Sequence, residues 1–266
     1  MFQANFDFRI ALDRPYKLCD FRPAYGEMFQ EYLKDYDFWG HCDIDLMWGN
    51  LRKFFTDGIL NSYDRIYSAG HCSLYRNTPD VNSWYRTLNS GEYQNWHDVF
   101  ASDKSFAFDE WAGHCGGGMS FIIQANGKKF YTEREVADIN PEKHVDFVVT
   151  SRQELKAKKN VYFLWECGSL YACSGGKKLC EVPYLHWHNN RKIFIDDMPK
   201  LWEANKFFFI PPGIATCDEQ KASVSHIRLN KILFAIYFAP KIVVIIVKRL
   251  FPKRLKKIIK SLIGRE

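Results

Sequence analysis

Hydrophobic positions in the N-terminal part of the chain alternate between helical and strand-like spacing. After Pro23, the apolar side chains within residues 28–33 recur at the three- and four-residue intervals of an amphipathic helix. The aromatic run YDFWGHCD at residues 36–43 predicts a buried strand that ends in an acid. Residues 64–77, DRIYSAGHCSLYRN, predict a pair of strands with a bend at Gly70.

The later part of the chain is richer in strand patterns. Strand patterns occur at residues 128–133, KKFYTE, and 144–150, HVDFVVT, and VYFLWECGSLYAC at residues 161–173 predicts a hairpin. A further strand pattern at residues 181–188 ends in LHWH. Alternating helices and strands followed by a strand-rich part predict the α/β class, with a mixed sheet flanked by helices.

The charges divide the chain into two parts that the overall value conceals. Residues 226–266 hold eleven Lys and Arg and a single acid, Glu266, which leaves a balance of +10. Since the whole chain carries +6, residues 1–225 carry −4. We therefore expect a globular domain over residues 1–225 and a basic tail over residues 226–266. A cluster of one sign favours an anionic partner.

The basic tail has the pattern of a helix that lies on a membrane surface. Its apolar stretch at residues 232–247 is shorter than the roughly 20 residues of a spanning helix, and Pro240 interrupts it. In residues 248–265, basic and aliphatic side chains alternate at helical spacing, which predicts one cationic and one apolar face. We expect residues 232–263 to bind an anionic membrane surface. The alternatives are a core-packing helix, a transmembrane hairpin and a nucleic-acid arm, and the apolar face argues against nucleic acid.

The N-terminus and the cysteines favour a cytoplasmic protein. Residues 1–17 contain acids and no apolar segment of the kind that a secretory signal needs. None of the eight cysteines forms a Cys-x-x-Cys pair, so we expect reduced thiols and no zinc ribbon. Together with the tail, this pattern predicts a peripheral protein on the inner face of the cell membrane.

Two aspartates separated by one residue, Asp43 and Asp45, follow the predicted strand. Carboxylates at positions i and i+2 point to the same side of an extended chain, and such a pair is costly unless a cation neutralises it. Carboxylate oxygens suit Mn²⁺ or Mg²⁺, which commonly bridge the phosphates of a substrate. The pair therefore predicts a divalent metal that holds a diphosphate. A capping Asp beside a surface Asp would give the same short pattern.

Other polar side chains extend this candidate site. His186 and His188 end a strand pattern and are suitable metal ligands when neutral. Asp109 and Glu110 precede a glycine-rich segment, where a carboxylate could serve as a general base or a nucleophile.

Hydrogen-bond donors follow the bend at Gly70. His71, Arg76 and Asn77 could bind hydroxyl groups or a pyrophosphate. Each polar side chain, taken alone, could equally fill a structural role, such as a loop cap or a hydrogen-bonded strand histidine. Their occurrence together on one chain favours a functional site.

Five stretches, in this order, resemble a family of bacterial cell-envelope glycosyltransferases with the GT-A fold. They lie between residues 15 and 195 and read PYKLCDFRPAYGEMFQEYL, YDFWGHCDIDLMWGNLRKF, SAGHCSLYRNT, FDEW and YLHWHNNR. The resemblance implies a GT-A-like mixed sheet and transfer of a sugar from a nucleotide sugar, above all a UDP-sugar. The acceptor that it implies is a lipid-linked or envelope glycan of the lipopolysaccharide or capsule type.

The resemblance also implies a metal site. Asp43 and Asp45 would form the Asp-x-Asp motif that holds Mn²⁺ or Mg²⁺ against the diphosphate. His186 would be a late ligand to the same ion, and His188 could replace it.

Donor-binding and catalytic residues are implied in the same way. The residues implied to contact the donor are Asp20, Arg22, Gly70, His71 and Arg76. Asp109 or Glu110 would act at the reacting carbon, in either an inverting or a retaining reaction.

Two departures from the family pattern bear on activity. In the family a nucleotide-binding half precedes the YKLCDF stretch, whereas sixteen residues precede Lys17 here, which implies an N-terminally truncated domain. In HNNR, asparagines stand where the family has basic residues. Two alternatives are therefore a catalytically inactive, membrane-associated remnant of such an enzyme and a metal-dependent phosphohydrolase that uses the same carboxylates.

Overall fold

The computed structural model describes residues 2–87, 95–111, 117–132, 135–188 and 193–236. The chain divides into two compact units, Met1–Val136 and Ala137–Glu266. Both units combine strands with helices, which confirms the predicted α/β class. The predicted domain over residues 1–225 thus contains a boundary that the sequence pattern did not indicate.

The first unit is built from short helices and strands. Its α-helices are α1 Leu18–Phe21, α2 Tyr25–Met28, α3 Gln30–Leu33, α4 Asp57–Ser62, α5 Pro79–Asn82, α6 Trp96–Ala101 and α7 Met119–Ala125. Its strands are β1 Phe38–Cys42, β2 Leu46–Trp48, β3 Arg65–Ala69, β4 Cys72–Arg76 and β5 Phe130–Tyr131. Turns of 3-10 helix lie at Gln3–Asn5, Pro15–Lys17, Arg22–Ala24, Leu51–Lys53 and Trp84–Arg86.

In the described part of this unit, a four-stranded sheet has the order β1-β4-β3-β5. The strand β4 is antiparallel to both β1 and β3, and β5 joins β3 in parallel. Cys42 and Cys72 lie opposite each other at one end of the β1–β4 pair. The predicted strand at residues 36–43 and the predicted bend at Gly70 are confirmed.

Aromatic side chains fill the core of the first unit. Phe21 and Phe100 stack with their ring centroids 4.3 Å apart, and Trp39 of β1 stacks on Tyr75 of β4 at 4.5 Å. All four side chains are buried. Because aromatic pairs add to the free energy gained from burial, packing alone explains these rings.

The prediction of one continuous helix after Pro23 is wrong. The chain forms α2, leaves helical geometry at Phe29, where φ is −114° and ψ is 21°, and resumes as α3. Tyr32, which was predicted for the apolar face, is 70% exposed. Helices of four residues gain little from their own hydrogen bonds, so packing of residues such as Met28 on the core sets their geometry.

A buried ion pair fixes the start of the first unit. The Lys17 ammonium lies 2.8 Å from Asp20 Oδ2 and donates to two backbone carbonyls at 2.7 and 2.6 Å. The Asp20 carboxylate also accepts from the backbone N–H groups of Phe106 at 3.1 Å and Phe108 at 3.0 Å. Both charged residues are buried, and these contacts attach the segment that precedes Asp109 to α1.

The second unit is richer in strands. Its strands are β6 Ala137–Asp138, β7 Tyr162–Glu166, β8 Ser169–Ser174, β9 Lys177–Val182, β10 Tyr184–His186, β11 Phe194–Ile195, β12 Lys206–Ile210 and β13 Ile214–Thr216. Its helices are α8 Gln153–Lys156, α9 Met198–Glu203, a 3-10 turn at Glu219–Ala222, and α10 at residues 224–236.

Within the described residues of this unit, a six-stranded sheet has the order β11-β13-β12-β7-β8-β9, and β10 pairs with β6 in parallel. The hairpin predicted at residues 161–173 is confirmed as β7 and β8. The prediction of a strand at residues 144–150 is wrong, since the β-pairing described there is an isolated bridge between Ile139 and Val149. Its apolar pattern reflects core packing instead, because Phe147 stacks on a ring of β12 at 4.9 Å.

The helix α10 contains the first part of the predicted basic tail, residues 226–236. Ile227 is buried on its inner side, and the Lys231 ammonium pairs with Asp146 at 2.7 Å. The amphipathic helix predicted at residues 248–265 lies outside the described residues. Within the described ranges, no helix is both long enough and apolar enough to cross a membrane.

Replacing Asp20 with Asn should strongly destabilise the protein. The change leaves the Lys17 ammonium buried without a counter-charge, a loss that typically costs about 3–5 kcal/mol. Chemical denaturation should show a correspondingly lower free energy of unfolding. Asp13→Asn removes an exposed carboxylate and is the control, expected within about 0.5 kcal/mol of the wild type. Equal stability of the two variants would contradict the role given to Asp20.

Candidate functional site

One guanidinium group, that of Arg22, connects three segments of the first unit. Its Nη1 donates to Asp109 Oδ2 at 2.8 Å and to the carbonyl oxygen of Gly70 at 2.7 Å. Its Nη2 donates to the carboxylate of Asp43, the residue that follows β1. The Arg22 side chain is 14% exposed, so these charge-assisted hydrogen bonds form largely away from bulk water and are correspondingly strong.

Asp109 is the buried carboxylate of this network, with 1% of the residue exposed. Burial raises its pKa to about 7, although the positive charge of Arg22 acts to lower it, and the neighbouring Glu110 adds to the rise. A carboxyl group with such a pKa can bind or release a proton near neutral pH. This is the property that a general acid or base requires.

The turn at Gly70 places main chain directly against the two acids. A Cβ atom at this position would lie 2.8 Å from Asp109 Oδ2 and closer still to the carboxylate of Glu110. Glu110 is exposed and could move, whereas Asp109 is short and held by Arg22. The lack of a side chain at residue 70 therefore allows the acids to approach the β3–β4 turn.

Arg65 on β3 is a part of the site that the sequence analysis missed. It is fully buried and donates to the carbonyl oxygen of Asp109 at 2.8 Å. It also donates to the hydroxyl groups of Ser73 and Ser120, at 3.1 and 2.9 Å. Arg65 thus fixes the main chain of Asp109, while Arg22 fixes its side chain. An arginine within a strand pattern gives no sequence signal of burial.

His41 on β1 is a buried histidine close to both arginines. Neither ring nitrogen makes a hydrogen bond of good geometry. Burial, followed by the positive charges of Arg22 and Arg65, lowers the pKa of His41 well below its usual value, so the ring is neutral. Buried polar atoms without well-formed hydrogen bonds are uncommon in folded proteins, and the two ring nitrogens of His41 lie next to the acidic network.

Asp43 and Asp45 approach each other after β1. One carboxylate oxygen of each lies within 4.8 Å of the other. Asp45 is 8% exposed, whereas Ile44 between them is 98% exposed. Two carboxylate oxygens at this spacing fit adjacent positions around one divalent cation. Their role as metal ligands stays a prediction.

A second group of polar side chains lies in the second unit. Asp138 Oδ1 is 2.9 Å from His186 Nδ1 and 3.1 Å from His188 Nε2, and the two rings are 3.9 Å apart at their centroids. A neutral ring that donates through Nδ1 carries its lone pair on Nε2. Metal-binding histidines are commonly oriented by a carboxylate in this way. Asp138 faces His186 in register across β6 and β10, a pairing of distant segments that the sequence does not reveal.

The predicted metal ligands therefore fall in both units. Asp43 and Asp45 belong to the first unit, and His186 and His188 belong to the second. The prediction that they share one ion stays a prediction.

Two predicted donor contacts, Asp20 and Arg76, have other partners in the structure. Asp20 is occupied by the buried ion pair described above. Arg76 donates to Asp64 at 3.0 Å and to backbone carbonyls at the end of α4, which ties α4 to β4. The carbonyl oxygen of His71 accepts the backbone N–H of Asp43 at 2.9 Å. Contacts within the fold thus account for Asp20 and Arg76, and neither belongs to the site proposed below.

Comparison with known proteins adds a family but no activity. The profile of a family described as a family of unknown function (DUF6625) matches residues 1–216. No curated protein and no solved structure matches the chain.

Asp109 should make the protein less stable as the pH rises. Its pKa is raised from 3.8 to about 7 on folding. Between those values the folded state binds a proton that the unfolded state has lost. The free energy of unfolding should therefore fall over this pH range by more in the wild type than in Asp109→Asn, which cannot ionise. Denaturation curves at a series of pH values measure this, and a constant difference between the two proteins would contradict it.

Proposed function

The chain belongs to the DUF6625 family, and we propose that this member is a metal-dependent glycosyltransferase with a GT-A-like fold. It would move a sugar from a nucleotide sugar, above all a UDP-sugar, to a hydroxyl group of a cell-envelope glycan.

The observation that carries the proposal is the network around Arg22. Stretches that resemble the glycosyltransferase family at four separate places contribute Arg22, Asp43, Gly70 and Asp109. Hydrogen bonds from one guanidinium join all of them. Residues that the resemblance assigns to one site would be expected to meet in this way if they form that site.

Arg22 suits a reaction in which a nucleoside diphosphate departs. The departing group gains negative charge, and a partly buried guanidinium stabilises such charge through its fixed N–H groups. When bound by Asp43 and Asp45, Mn²⁺ or Mg²⁺ would act as a Lewis acid on the same leaving group.

Asp109 and Glu110 could each act at the reacting carbon of the sugar, in different roles. With a pKa of about 7, Asp109 can accept the proton of an acceptor hydroxyl group. Glu110 has an exposed side chain and can face a sugar ring on which positive charge develops.

Aromatic side chains close to these acids favour a sugar over a simple phosphate ester. Trp111 is 37% exposed and directly follows Glu110. Tyr16 is 72% exposed, and its pKa is raised by partial desolvation and by nearby acidic groups that include Asp109 and Asp43. Partly exposed aromatic faces with a polar edge are suited to packing against sugar rings. The phosphohydrolase and the inactive remnant are the competing functions, and the two experiments below separate them.

UDP should bind to the purified full chain only when Mn²⁺ or Mg²⁺ is present. Calorimetry should show binding that EDTA abolishes and that Asp45→Asn weakens by more than about tenfold, or about 1.4 kcal/mol, through loss of the ligand's negative charge. Asp103→Asn, at an exposed carboxylate, is the matched control and should bind UDP as the wild type does. Absence of metal-dependent binding in the folded wild type would support the inactive remnant.

Asp109→Asn should abolish turnover and spare binding. Loss of a general base typically lowers the rate about 10²- to 10⁴-fold, whereas the affinity for UDP and metal should change little. Release of UDP from a panel of UDP-sugars measures the rate. Release of inorganic phosphate from simple esters, with no attack on UDP-sugars, would favour the phosphohydrolase instead.

A further inference from the structure

One surface of the second unit exposes large apolar side chains in two segments. The side chains are Phe194, Ile195, Met198 and Trp202 in residues 194–202, and Leu229, Ile232, Leu233 and Ile236 in α10. Each residue is between 40% and 86% exposed. Soluble monomers seldom leave a connected apolar surface of this kind uncovered, and such surfaces usually mark binding sites. These eight residues are called the apolar surface below.

The α10 part of the apolar surface follows one helical face. Residues 229, 232, 233 and 236 recur at intervals of three and four, so they project on the same side. On another side of the helix, Ile227 is buried in the core of the unit. The helix therefore has one apolar side that packs on the sheet and a second that does not.

The two segments adjoin each other within the second unit. The rings of Phe194 and Phe234 form an edge-to-face contact at 6.4 Å. A groove of about 610 Å³ runs between the edge strand β11 and α10, with Ile195, Pro212 and Leu233 among its lining residues. Phe194 and Ile195 of the first segment therefore line the same groove as Leu233 of α10.

We propose that the apolar surface docks on an anionic lipid bilayer. Trp202 is 86% exposed at the end of α9, and tryptophan is the residue type that prefers the boundary between lipid and water. The exposed face of α10 ends at Ile236, and the chain continues from there through an apolar stretch into residues 248–265, where basic and aliphatic residues alternate at helical spacing. The folded surface would thus enter the interface beside a segment whose charge matches anionic lipid.

Charge argues against a second copy of this chain as the occupant. Residues 226–266 carry a balance of +10, so two copies joined through α10 would bring two strongly cationic segments together. An anionic bilayer, in contrast, neutralises that charge and removes the apolar side chains from water at the same time. The docking does not depend on the proposed sugar transfer.

Cosedimentation of the full chain with lipid vesicles tests the docking. The wild type should bind vesicles that contain phosphatidylglycerol more tightly than vesicles of phosphatidylcholine alone. The double variant Trp202→Ser, Leu233→Ser should bind at least about tenfold more weakly, because two side chains that the bilayer would bury are lost. Tyr32→Ser, which removes a side chain of similar exposure from the first unit, is the control and should bind as the wild type does.

High salt distinguishes the contribution of the apolar surface to vesicle binding from that of the basic segment that follows it. At about 1 M salt the Debye length falls to about 3 Å, so electrostatic attraction is largely screened while burial of apolar groups persists. The difference between the double variant and the wild type should therefore remain at high salt. A double variant that binds like the wild type, or a wild type that binds neither vesicle, would overturn the proposal. So would a double variant that changes only the oligomeric state in analytical ultracentrifugation.

Discussion

Positive charge held away from water is the constraint on which the site of the first unit depends. A carboxylate as buried as Asp109 is tolerated only when a cation or a proton compensates it. Arg22 supplies the cation for the side chain, and Arg65 holds the carbonyl of the same residue. Burial, together with the positive charges of the two arginines, lowers the pKa of His41 and leaves its ring neutral. The charge of Arg22, the protonation of Asp109 and His41, and the main-chain position of Asp109 thus depend on one another within this site.

A short segment provides two buried cations with different purposes. Lys17 neutralises Asp20 inside the fold, and five residues later Arg22 reaches the acids that face the candidate site. The resemblance to the glycosyltransferase family implies that this whole segment contacts the donor. The structure divides it, because Asp20 has its hydrogen bonds satisfied by backbone N–H groups and Lys17. Chemical type alone does not distinguish a buried structural carboxylate from one that binds a ligand.

Local patterns were sufficient wherever neighbouring residues decide the outcome. The strand before Asp43, the strands on either side of Gly70 and the hairpin at residues 161–173 were all predictable, since alternation and turn residues act over short distances. Arg65 and Asp138 were not predictable. Their partners come from segments far away in sequence, and a strand pattern does not say which strand will lie beside it. The prediction of a continuous helix through Phe29 also failed, because tertiary packing outweighs helix propensity in short helices.

The buried Lys17–Asp20 pair also sets an order on folding during translation. Asp20 accepts hydrogen bonds from backbone groups 86 and 88 residues further along, so the charge pair cannot be fully satisfied until that segment has left the ribosome. Until then water solvates both charges, and α1 lacks its buried partners. Such non-local closure is slow relative to local helix formation. Lys17 and Asp20 therefore reach their native environment only after residues 99–108 have been synthesised.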